Sequence, residues 1–138
     1  MNAERFDLVI AIGGEAGQGI ATPGDILARI FVRRGLHLYT YNAFQSIIRG
    51  GHIFLTIRIS DEEINTHGDK LDMLLCLNQD TMDRHLGLLG LGTRALFNSD
   101  TINPGEAAKG VGLCPIPVSE LTQSRNRLIQ NTVGMGAI

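Results

Sequence analysis

Residues 6–20, FDLVIAIGGEAGQGI, decide how this chain is read. The apolar run over residues 6–12 ends in Gly13, Gly14, Gly17 and Gly19, which predicts a buried strand feeding a glycine-rich loop, with a helix to follow. Thr22-Pro23-Gly24-Asp25 supplies the start of that helix: an N-cap hydroxyl, a proline at the first helical position and a carboxylate three residues after the cap. Ile26, Leu27, Ile30 and Phe31 form its apolar stripe, and Arg33-Arg34-Gly35 puts cations and then a glycine at its end. The alternative is a start one turn earlier, near Gly19 or Ile20, where Pro23 would forfeit only about one hydrogen bond.

Outward from this unit, residues 36–41 (LHLYTY) read as a second strand and residues 53–60 (IFLTIRIS) as a third. In the third, Ile53, Leu55, Ile57 and Ile59 alternate with Phe54, Thr56 and Arg58, giving one buried and one partly wet face. The gap between the two strands is shorter than the dozen or so residues a parallel crossover needs, so the sheet is expected to be mixed. Residues 71–78 (LDMLLCLN) make a wholly apolar fourth strand, followed by a helix capped at Asp80 with Met82, Leu86 and Leu89 on one face and Gly90 after it. Residues 94–98 (RALFN) and 112–118 (GLCPIPV) supply a fifth strand and an irregular sixth. From Ser119 a helical segment is expected with Leu121, Leu128, Ile129 and Val133 inward. The expected fold is a three-layer α/β/α sandwich around a mostly parallel or mixed sheet of five to six strands. The last residues, NTVGMGAI, are apolar and uncapped; they read either as a domain cut from a longer chain or as an end that packs on a partner.

At 138 residues with 43% apolar and 19% charged side chains, the chain can bury one core without disulfides or metals. Cys76 and Cys114 are far apart, with no Cys-x-x-Cys and no Cys/His cluster, so no metal or iron–sulfur ligation by this chain is expected. The N-terminus has the wrong shape for a signal peptide and no run reaches membrane-spanning length, which makes a cytoplasmic location the expectation. The net charge of −2 hides an asymmetry: Arg29, Arg33, Arg34, Arg49 and Arg58 lie within residues 26–60, which hold no Asp or Glu. Such a block favours an anionic partner, although Arg29, Arg33 and Arg34 also read as the solvated face and last turn of the helix.

A strand, glycine loop and helix in series offer backbone N–H groups to an anion. The spacing here is G-G-x-x-G-x-G, unlike the G-x-G-x-x-G of dinucleotide binders, and no Gly-Lys-Ser/Thr follows. A dinucleotide site also wants an acid after the second strand, where Asn42 stands. Gly68-Asp69 with Asn98 is a poor thiamine diphosphate signature, because Lys70 replaces its last glycine and the pair precedes a strand. His37 and His85 read as surface residues and His67 as part of a polar turn; no hydrolase triad emerges. No residue is assigned a catalytic role.

A second glycine motif stands at residues 45–52, QSIIRGGH. Adjacent glycines free the backbone for close approach, and an arginine there offers a planar two-point donor to phosphate or carboxylate. IGGEAGQGI after a first strand, SIIRGGH leading into IFLTIRIS, LDMLLCLNQDTMDRHL and a terminal NTVGMGA together resemble the gamma domain of 2-oxoacid:ferredoxin oxidoreductases. The resemblance spans residues 1–138 and is greatest to the 2-oxoglutarate-type enzymes, in which this domain is fused at the N-terminus of the alpha subunit.

The resemblance implies an assembly that oxidatively decarboxylates a 2-oxoacid on thiamine diphosphate, passes electrons through iron–sulfur clusters to ferredoxin and releases an acyl-CoA. It implies partners bearing the thiamine and iron–sulfur sites, with no nucleic acid and no membrane, and a chain inactive alone. The residues expected at the CoA or phosphate path, or at an interface beside it, are Gly14, Gly17, Gly19, Ser46, Arg49, Gly50, Gly51 and His52. A stand-alone nucleotide- or CoA-binding regulatory module and a purely structural interface domain are the rival readings.

Overall fold

A computed structural model describes residues 5–44, 51–106, 110–122 and 127–138. The strands are β1 (Asp7–Glu15), β2 (His37–Phe44), β3 (His52–Ser60), β4 (Met73–Cys76), β5 (Arg94–Asn98) and β6 (Gly112–Ile116). They form one sheet in the order β2-β3-β1-β4-β5-β6. β3 is antiparallel to both β1 and β2, while β1, β4, β5 and β6 run parallel. The mixed sheet expected from the short β2–β3 connection is what forms. Pro115 sits in the edge strand β6, where a missing N–H costs no ladder bond.

Helices cover both faces, so β1 is buried from Val9 to Gly14. Ile10, Ile12, Leu55, Ile57 and Ile59 pack with Leu27 of helix α1 (Ala21–Arg33) and with Val133 and Met135 of helix α4 (Arg127–Gly136). On the opposite face Ala11, Leu74, Cys76 and Phe97 pack with Met82, Leu86 and Leu89, contributed by helix α2 (Gln79–His85) and the single 3-10 turn and loop that follow it. Met82, Leu86 and Leu89 are buried as expected, but the helix expected to carry all three ends at His85, with Leu86 in the 3-10 turn and Leu89 in extended backbone after it. Arg58 grips Asp7 across the β1–β3 pair with two bonds of 2.9 and 2.7 Å, and this fork holds the Asp7 carboxyl below the usual carboxylate range.

Three further expectations about the helices need correction. Helix α1 starts at Ala21, on the earlier of the two starts considered, with Ile20 as an N-cap that makes no side-chain cap bond. Thr22 and Asp25 therefore form no capping box. Pro23 falls in the first turn, where N–H groups have no intrahelical acceptor, and Gly24 lies so close to β3 that an added Cβ would meet Leu55. The cap of α2 is Asn78, whose side chain accepts from the Thr81 N–H at 2.9 Å, so Asp80 is a first-turn residue. The helical segment after Ser119 is two pieces, α3 (Val118–Thr122) and α4, and Leu121 and Ile129 face solvent. Val133 packs inward as expected, and the side chain of Leu128 lies outside the described residues. The apolar last residues are laid on the core, with Met135 and Ile138 partly buried against it.

Candidate functional site

The chemistry-bearing motifs converge where β1 and β4 end and β3 begins. In an open α/β sheet, the carboxyl ends of parallel strands are where ligand crevices form. Gly13 lies under α2, where its missing side chain leaves room for Thr81 and Phe54, and Gly14 lies against Gln18, Ile20 and Leu77. Gly17 and Gly19 have φ of +92° and +78°, left-handed backbone that glycine adopts without strain. These two positions set the path of the loop from β1 into α1.

The loop is tied down by the chain's own groups. The Glu15 N–H donates to Gln18 Oε1 at 2.6 Å, the Gln18 N–H donates to the Glu15 carbonyl at 3.0 Å, and Gln18 Nε2 donates to the Leu77 carbonyl at 3.3 Å. Asn131 on α4 donates its amide to the Gln18 carbonyl. The Ala16 N–H donates to the Gly51 carbonyl at 3.0 Å. This last bond joins the two glycine motifs, which are separated by more than thirty residues in sequence.

Beside the loop is a cleft of about 300 Å³, lined by Glu15, Gln18, Leu77, Asn78, Gln79, Asn98, Thr101, Ile102, Gln130 and Asn131. Six of these side chains are carboxamides and only Glu15 is ionisable. The lining suits neutral hydrogen-bonding groups and, by itself, offers no cation to a phosphate.

Of the residues singled out in sequence, Gly14, Gly17, Gly19, Gly51 and His52 are brought to this one edge. Ser46, Arg49 and Gly50 lie outside the described residues. His52 opens β3 opposite Glu15, with its side chain only 10% exposed. Its Nε2 is 2.8 Å from Nε2 of His85, and its Nδ1 is 3.6 Å from the Asp80 carboxylate, which in turn accepts from Arg84 Nε at 2.7 Å. The His85 ring stacks on Phe54 with centroids 4.1 Å apart.

His85 was expected on the surface; the structure places it half-buried against His52 and Phe54. A hint was present in the sequence: His85 lies one turn after Thr81 and Met82 on the helix that must cover β1. Nothing in the spacing, however, placed that turn over His52. His37 and His67 are exposed, as read from sequence, and His67 stacks on Tyr41.

Burial lowers the affinity of both imidazoles for a proton. For His52 the desolvation outweighs the pull of Asp80, with Arg84 adding to it; for His85 desolvation acts first, then repulsion from His52 and Arg84. The unfolded chain therefore takes up these protons at a higher pH than the folded one. Stability contributed by the neutral pair is complete above the ordinary imidazole value near 6.5 and is lost as pH falls through the depressed folded values. The urea midpoint should accordingly drop between pH 7.5 and 5, and His85→Gln should flatten that drop. An identical pH dependence in wild type and variant would contradict this account.

Among the described residues no group of three His, Cys, Asp or Glu side chains could hold a metal ion. Cys76 is sealed in the core, where burial pushes its thiol up to about 12, and Cys114 lies on β6, with β5 between their strands. The two do not fit a cluster-ligating set, which needs thiolates side by side. Gly68 and Asp69 precede β4, in a turn that lies over the Arg58 side chain, and do not fit a thiamine diphosphate site. Among the described residues no helix is long and apolar enough to cross a membrane.

Residues 9–138 match the family model described as "Pyruvate ferredoxin/flavodoxin oxidoreductase". The chain is 31% identical over 74 residues to the alpha subunit of 2-oxoacid:ferredoxin oxidoreductase from Sulfolobus sp, covering 54% of this chain and 12% of that relative. It is 27% identical over 130 residues to the 2-oxoglutarate synthase subunit KorC of Archaeoglobus fulgidus, covering 94% of this chain and 67% of that relative. Its structure resembles that of 2-oxoglutarate:ferredoxin oxidoreductase from Magnetococcus marinus, with a TM-score of 0.87 and 31% identity over 97% of this chain and 24% of the other. That enzyme was seen with 2-oxoglutarate, coenzyme A and succinyl-CoA bound. The chain thus spans about an eighth of one relative, a quarter of another and two thirds of the third.

Proposed function

The chain belongs to the pyruvate ferredoxin/flavodoxin oxidoreductase family, and from that premise we propose that it is the gamma-type part, residues 1–138, of a cytoplasmic 2-oxoacid:ferredoxin oxidoreductase. The assembled enzyme converts a 2-oxoacid and CoA to acyl-CoA and carbon dioxide, with the electrons passed to ferredoxin. Thiamine diphosphate supplies the decarboxylation chemistry and iron–sulfur clusters carry the electrons; both belong to partner subunits or domains. This chain's contribution is to shape the path for CoA and to hold the assembly together.

The observation that carries this reading is the agreement of 97% of the chain, at a TM-score of 0.87, with part of an enzyme that holds a 2-oxoacid, CoA and the acyl-CoA product. The two joined glycine motifs are where the path would run. The loop through Gly14, Gly17 and Gly19 meets Gly51 at the start of β3, and Ser46, Arg49 and Gly50 precede Gly51 and His52 in the same short sequence motif. Arg49 would present its guanidinium fork to a CoA phosphate, and the glycines would admit the ligand close to the backbone.

A second reading, an interface domain that binds no small molecule, is favoured by one feature. The N–H groups of Glu15, Ala16 and Gln18 are already engaged by oxygens of this chain, so the glycine loop is not a set of open donors.

The test compares the isolated chain with the assembly. Alone it should reduce no viologen dye when given 2-oxoacids and CoA. Together with partners bearing the thiamine and iron–sulfur sites it should support CoA-dependent dye reduction. Turnover by the pure chain, or full activity of the partners without it, would defeat the proposal. A partner complex that needs the chain for assembly but shows the same CoA saturation with all glycine-motif variants would establish the second reading.

A further inference from the structure

The contact between His52 and His85 joins the start of β3 to helix α2 across the candidate site. His52 follows Gly51 and opens β3; His85 closes α2, the helix that covers the end of β1. The Asp80 carboxylate, 3.6 Å from His52 Nδ1, favours a proton on that nitrogen. His52 Nε2 is then the acceptor and His85 Nε2 the donor of the 2.8 Å bond. Among the described residues, the charged groups around the pair are Asp80 and Arg84 on α2 and Glu15, the register partner of His52 on β1. From β3 itself the neighbour is the ring of Phe54, stacked on His85.

We propose that His85 is a positioning residue for Gly51 and His52 at the start of β3, holding them to α2 through an Nε2–H···Nε2 hydrogen bond that survives one imidazolium but not two. With one added proton, a charged ring still donates to a neutral one. With two, both Nε2 atoms carry hydrogens that point at each other over 2.8 Å, close to the Arg84 cation, and the rings must part. Because the Gly51 carbonyl receives the Ala16 N–H, parting them also loosens the junction between the start of β3 and the first glycine loop. That this junction serves a ligand rests on the function proposed above; the clamp itself does not.

Two measurements on the chain test the clamp without reference to activity. Side-chain nitrogen NMR at pH 7.5 should find the neutral proton of His52 on Nδ1 and that of His85 on Nε2. On acidification the second proton should enter the pair well below the ordinary imidazole value near 6.5. Amide hydrogen exchange reads the junction: His85→Leu should lower the protection factor of the Ala16 amide about tenfold while core amides such as Ile57 stay protected. His85→Gln, which keeps an N–H donor but does not titrate, should restore that protection and remove its loss between pH 7.5 and 5.

Both rings protonated on Nε2 at pH 7.5, or a pair that takes up both protons near the ordinary imidazole value of 6.5, overturns the proposal even where the leucine variant does not fold. So does an Ala16 protection factor that is the same in wild type and His85→Leu. In the assembled enzyme, a KM for CoA that rises on acidification in wild type but not in His85→Gln would extend the clamp to ligand binding. Loss of Ala16 protection in His85→Leu with an unchanged KM for CoA would leave the clamp standing and defeat the ligand reading of the junction.

Discussion

Gly13→Ala should destabilise the fold by about 3 kcal/mol, a large fraction of the margin by which a domain of this size is folded. An added Cβ would stand 2.3 Å from Cγ2 and 2.9 Å from Oγ1 of Thr81. Thr81 is fully buried and cannot swing aside cheaply, because its N–H and hydroxyl both donate to Asn78 Oδ1, at 2.9 and 2.7 Å, as part of the α2 cap. Replacing Thr81 by Ser removes the colliding methyl but keeps both donors. The double variant Gly13→Ala/Thr81→Ser should therefore regain at least about 1 kcal/mol over the single change, which urea denaturation of the four proteins in the cycle would measure. Simple additivity would mean that the loss comes from the backbone at Gly13 and not from the contact with α2.

Arg49→Ala, in the assembled enzyme, should weaken CoA binding roughly ten- to a hundredfold, the effect of losing a charge-assisted hydrogen bond of about 1.5–3 kcal/mol. Arg49→Lys should lose less, since an ammonium keeps the charge without the planar fork. If the arginine instead braces the turn against a partner, the variants should dissociate or melt earlier while CoA saturation is unchanged in what remains assembled. Following the KM for CoA and the assembly state together separates the two roles. Wild-type values of both in Arg49→Ala would remove the motif from the functional account.

What the sequence discloses by itself follows physical range. The apolar runs that became β1, β3, β4 and β5 announce themselves because each is buried on at least one face, and the burial of Met82, Leu86 and Leu89 shows in their helical spacing although the helix itself ends at His85. The start of α1 is harder to read, since Thr22 and Asp25 mimic a capping box, and the closeness of Gly24 to Leu55 is a tertiary fact that no local pattern shows. Leu121 and Ile129 misled in the opposite sense, being apolar yet exposed. At the site, the glycines and His52 could be marked from local pattern and from resemblance. His85 could not, because its role exists only once α2 is laid over β1 and β3. The bond from Ala16 to Gly51 is equally invisible in one dimension.

The burial of Cys76 turns the chain into its own clock for opening. A thiol held near a pKa of 12 in the middle of the sheet reacts with an alkylating reagent only when β4 is exposed. Cys114, half-buried on the edge strand β6, is reached by the smaller fluctuation that frays that edge. One labelling time course at neutral pH should therefore show two rates, a fast one at Cys114 set by local fraying and a slow one at Cys76 set by loss of the whole sheet. A partner that docks on the sheet edge at β6 would slow the first without touching the second, so the pair of thiols distinguishes covering of this edge from stabilisation of the entire domain.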